Sequence, residues 1–88
     1  MTQADLTTDA RQTAGLLAAI EAMEATLAVA EALASERRRI DLGGLDAEMG
    51  RLCVAALAAP RVAVPEVRVR LEALVVALDR LRAGLAPP

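Results

Sequence analysis

The chain has no Lys, His, Asn, Phe, Tyr or Trp, and only one Cys, Cys53, among its 88 residues. Without His or Lys, no side chain titrates near neutrality at its ordinary pKa. Schiff-base amines, imidazole bases and imidazole metal ligands are therefore missing. One Cys cannot close an internal disulfide, and no Cys/His cluster is available for a structural metal. There is no phosphate-binding loop and no nucleophile–base pair. The expectation is a non-enzymatic protein with no catalytic residue, no cofactor and no small-molecule substrate.

The lack of aromatic residues also limits the core, which must be built from Leu, Val, Met, Ile and Ala. A chain of this length buries only roughly 60–65% of the surface that its unfolded form exposes. Each Ala adds little to that burial. With no disulfide or metal to help, subunit association is the remaining supplement.

Basic charge is carried by Arg alone. Ten basic residues face twelve acidic ones, for a net charge of −2. Residues 1–36 hold six acids and one Arg, a net −5, while residues 37–88 hold nine Arg and six acids, a net +3. An acidic first segment is thus expected to lie against a basic second one, within or between subunits. A net-acidic chain without aromatics for stacking argues against nucleic acid as a partner.

Long apolar runs are absent too. The richest window, Ala14 to Ala34, is broken by Glu21, Glu24 and Glu31, a poor match to the ~20 apolar residues of a membrane span. The first residues lack the basic start and apolar stretch of a secretion signal. A cytoplasmic protein with a reduced thiol is expected.

What is present is helical periodicity, 56% hydrophobic residues and strong helix formers throughout. The reading is all-α, a single domain over residues 1–88 in three helices. The residues before the start of helix one, at about Asp5 or Thr8, are expected to be disordered, at most over residues 1–8. Helix one should span about residues 8–39, with a seam of Leu16, Ile20, Met23, Leu27, Ala30 and Ala34 stepping by four and three. Arg37, Arg38 and Arg39 would end it, favourably placed against the helix dipole. Helix two should span about 42–59, capped by Asp41 or Asp46 and burying Leu45, Met49, Leu52 and Cys53. Helix three, about 65–83, should bury Val67, Leu71, Leu74, Leu78 and Leu81, with Pro65 in its first turn and Gly84 as its stop.

Helices two and three form an antiparallel hairpin in this reading, and helix one outruns it. Leu16, Ile20, Met23 and Leu27 are then expected to continue past the hairpin as a homodimer seam, closing two chains into a helical bundle. Val69 and Val76, with Ala73 and Ala83, suggest a second apolar strip for a partner. Cys53 reads as a buried structural thiol, and Glu21, Glu24 and Glu31 as a solvated flank without the Glu-x-x-His pattern of a bundle metal site. The Arg37–Arg39 run reads as a solvated helix end.

In length, helix order and its Leu16–Ala34 and Val64–Leu85 stripes, the chain resembles the small Ala/Leu-rich helical proteins of alphaproteobacteria. More loosely it resembles flagellar export chaperones of the FlgN/FliT kind. That resemblance implies a helical, often dimeric protein that holds another protein through an amphipathic groove. An adaptor or chaperone-like interaction module is therefore expected, binding itself and another protein. A membrane-surface amphipathic helix protein and an accessory subunit of an enzyme are the alternatives. The acidic flank of helix one argues against the membrane, because binders of anionic lipid favour basic residues there.

Overall fold

Three helices and one short turn make up the fold in the computed structural model, which describes residues 3–85. Helix α1 spans Gln3–Ser35, α2 spans Leu42–Leu57 and α3 spans Val64–Leu85, with a 3-10 turn at Arg61–Ala63 before α3. No strand occurs among the described residues. The all-α, three-helix reading holds, and the molecule is a rod of 56 × 17 × 16 Å.

The helix ends differ in four places from the expectation. Residues 3–8 are helical rather than disordered, while residues 1 and 2 lie outside the described residues. Helix α1 extends back to Gln3, and Thr8 Oγ1 donates to the Ala4 carbonyl at 3.0 Å within its first turns. At its other end α1 stops at Ser35, before the arginines. Arg37 takes a left-handed backbone, φ 61°. Its N–H donates to the Ala34 carbonyl at 3.0 Å, and Arg38 N–H to Leu33 at 2.9 Å. This is a Schellman closure, made without the Gly that usually occupies the left-handed position.

Helix α2 ends at Leu57 rather than residue 59, closed by Ala58 N–H donating to the Ala55 carbonyl and Ala59 N–H to the Ala56 carbonyl. Asp41 caps its start, its carboxylate accepting from Gly44 N–H at 2.9 Å. At the far end, α3 passes through Gly84 to Leu85, so Gly84 does not stop it. Pro65 sits within its first turn, where a missing N–H costs no helical bond.

Cross-helix polar contacts reveal the topology. Glu24 and Glu31 of α1 meet Arg70 and Arg80 of α3 in the same order, so these two helices run parallel. Asp46, early in α2, pairs with Arg82, late in α3, and the helices of this hairpin are antiparallel. The acidic first segment does lie against the basic α3.

The core is a single stack of apolar side chains along the rod. Leu16, Ile20, Met23, Leu27 and Ala30 come from α1; Leu45, Met49 and Leu52 from α2; Ala63, Val67, Leu74, Leu78 and Leu81 from the rest. Ile20 has no exposed surface at all. The hairpin therefore reaches further down α1 than the lengths suggested. The proposed dimer seam of Leu16, Ile20, Met23 and Leu27 is intramolecular core, because α2 and α3 together cover it to the level of Gln12.

Two assignments to the core need correction. Cys53 is exposed. It follows Leu52 by about 100° around α2, which turns it to the side that neither α1 nor α3 covers. Leu71 is only partly buried, packing against the core from its flank. A three-helix bundle covers a narrow stripe of each helix, and both residues sit at its edge.

Candidate interaction surface

Two apolar grooves flank the link between α2 and α3. The first, about 520 Å³, runs between these helices on their open side. Cys53, Ala56 and Leu57 form one wall; Val64, Leu71, Val75 and Val76 form the other, with Arg68 and Glu72 at its rim. The second, about 860 Å³, lies between the first turns of α1 and the link. Leu6, Ala10 and Leu17 face Pro60 and Val62 across it.

Both grooves arise from helix lengths. Gln12 Nε2 donates to the Ala58 carbonyl at 2.6 Å, marking the level at which the hairpin turns. Residues 3–11 continue about 13 Å beyond that level, at 1.5 Å per residue. There α1 has only the link beside it. The link itself projects its apolar side chains outward: Leu57 is 88% and Val62 89% exposed. Val54 and Val64 add to this surface, and Leu6 stands more than half exposed.

The second strip expected on α3 is split. Val69 and Val76 are both exposed. Val76 lines the α2–α3 groove, whereas Ala73 lines a shallow cleft between α1 and α3, and Val69 lines neither. By their spacing residues 69, 73 and 76 share one outer side of the helix, and the edges of that side border α1 at Ala73 and α2 at Val76.

Charge is concentrated on the α1–α3 seam. Arg70 Nη2 donates to Glu24 Oε1 at 2.5 Å, between side chains that are partly covered. The Glu24 hydrogen bond raises the Arg70 pKa above its ordinary value. Desolvation opposes that rise, while the charges of Glu24, Glu21 and Glu66 reinforce it. The flank thus contains two ion pairs between helices, the close Glu24–Arg70 pair and the longer Glu31–Arg80 pair. Glu66 lies four residues before Arg70, a spacing that favours an ion pair, but Arg70 donates to Glu24 instead. Arg68, two residues earlier and about half a turn around the helix, pairs with Glu72 at 3.0 Å, as its i,i+4 spacing implies.

The Arg37–Arg39 run occupies the turn after α1, with Arg38 4.0 Å from Glu36. Among the described residues no three His, Cys, Asp or Glu side chains gather closely enough to hold a metal ion. No described helix is long and apolar enough to cross a membrane.

The outward surface around the link was hidden from sequence reasoning. Its residues, Leu57 and Val62, sit beside Pro60 and look like ordinary loop punctuation. That Val62 faces Leu6 depends on where the hairpin turns against α1. No protein-family model, curated protein or solved structure matches the chain.

Proposed function

We propose that the chain is a non-enzymatic helical interaction module, an adaptor or chaperone-like binder that acts by presenting an apolar surface to another helical protein. One observation carries this reading: two apolar grooves both open at the α2–α3 link, where Leu57 and Val62 are almost fully exposed. A small domain with so little core does not gain from leaving Leu and Val in water. Clustered exposed apolar side chains of this kind mark interaction sites. Helix-in-groove recognition, in which an amphipathic helix lays its apolar face along such a channel, suits the dimensions and the chemistry.

Affinity purification of the tagged chain, co-expressed with an untagged copy in its native cell, tests the reading. The wild type should retain a discrete protein in stoichiometric amount, and Leu57→Glu with Val62→Glu should lose it while keeping wild-type helicity. A wild type that retains no protein, its own copies included, overturns the reading.

A further inference from the structure

The α2–α3 groove has a rim whose charges are ordered, and that order names an occupant. Along α3 the residues Val64, Arg68, Glu72 and Val76 follow one another at four-residue steps, forming a single ridge. All four line the groove. Read backwards, the ridge is Val, Glu, Arg, Val. A second α3 laid antiparallel, with its midpoint at residue 70, places Val76 on Val64, Glu72 on Arg68, Arg68 on Glu72 and Val64 on Val76. The ridge is its own complement.

We infer that a second copy of this chain docks on this groove, α3 against α3 about a twofold axis passing near residue 70. The inference rests on reading the groove as an interaction surface. A twofold interface must be self-complementary, because the same patch faces itself. This ridge meets that demand in charge and in apolarity. Within one chain Arg68 Nε already donates to Glu72 Oε1 at 3.0 Å. In the dimer each keeps that partner and gains the opposite charge of the other copy, closing a ring of four alternating charges. Val64 and Val76, exposed by 43% and 60%, are covered at the two ends of the contact. Leu57 and Cys53, on the α2 wall, close over the flank.

An unrelated partner would have to present an acid and a base one helical turn apart, in this order, between apolar residues. The chain itself already does so. The dimer face therefore differs from the α1 seam that the sequence suggested, since that seam is spent inside the subunit.

Sedimentation equilibrium on the full chain tests the inference by charge exchange. The wild type should approach twice its 9.2 kDa mass as concentration rises through the micromolar range. Arg68→Glu alone and Glu72→Arg alone each place like charges opposite one another, which opposes docking. Each should weaken association by about tenfold or more. Mixing these two variants in equal amounts restores opposite charges between chains but not within either chain, so the mixture should regain the doubled mass. Circular dichroism confirms the fold in each. Should a charge variant lose helicity, Val76→Glu gives the same reading from an exposed apolar position, and a doubled mass in that variant overturns the interface. A wild type at 9.2 kDa throughout, single charge variants that dimerise as tightly as wild type, or a mixture that stays monomeric also overturns it. A monomeric wild type that still retains a partner through Leu57 and Val62 would sink the self-pairing alone.

Discussion

Gln12 and Ala58, forty-six residues apart, are joined where the hairpin turns back along α1, the side-chain amide donating to the carbonyl at 2.6 Å. This bond holds the link against α1 and sets the boundary between the covered and uncovered parts of that helix. Gln12→Ala should cost about 0.5–1 kcal/mol, the ordinary net worth of one hydrogen bond. Amide exchange should speed up at residues 58–63 more than elsewhere. Uniform acceleration along the chain would mean that the bond does not anchor the link.

Leu78 is buried in the middle of the α3 stripe. Leu78→Ala should destabilise the fold by about 2–5 kcal/mol, the transfer and cavity terms together. Denaturant titration measures this. An unchanged midpoint would put the wrong face of α3 in the core.

Arg37 holds a left-handed backbone at the end of α1, where an L-residue with a Cβ is penalised by roughly 1–2 kcal/mol. Arg37→Gly removes that strain and keeps both closing bonds. The variant should gain about 1 kcal/mol, offset in part by the greater freedom of glycine in the unfolded chain. A lower melting temperature would show that the Arg37 side chain has a contact worth more than the strain.

Arg70 ties α3 to α1 through Glu24, and its pKa is raised in the folded state. A raised basic group contributes stability that is fully present below its unfolded pKa and is lost only as pH climbs through the folded value. The contribution of Arg70 is therefore constant from neutral to mildly alkaline pH. Arg70→Met should lower the melting temperature by an amount that is flat over that range and shrinks with added salt. A difference that changes with pH there, or ignores salt, would contradict the ion-pair account.

Much of this architecture was legible in the residues. Leu and Val at four- and three-residue steps specify three helices and nearly the whole core, because only one face of each helix can be buried. The acidic and basic halves anticipated the Glu24–Arg70 and Glu31–Arg80 contacts. What stayed hidden has physical causes. Ala on every side of α1 flattens the contrast between its faces, so its first turns could not be told from a disordered lead-in. The stop at Ser35 depends on an arginine adopting a conformation usually left to glycine. Cys53 adjoins a buried Leu, and its exposure follows from which side of α2 lacks a third wall. The groove rim is visible only once α2 and α3 stand side by side.

The core is a narrow stack within a 56 Å rod, running along α1 from Leu16 to Ala30, and this shapes how the molecule comes apart. Each buried residue supports mainly the layers just above and below it, much as neighbouring units do in a stacked repeat. Opening should then travel as fraying from the two tips, with Ile20 and its neighbours the last to let go. Native-state hydrogen exchange would register this as a graded ladder of protection falling away toward Gln3 and Leu85. On such a ladder, the uncovered turns of α1 form the bottom rung and open without disturbing the rest.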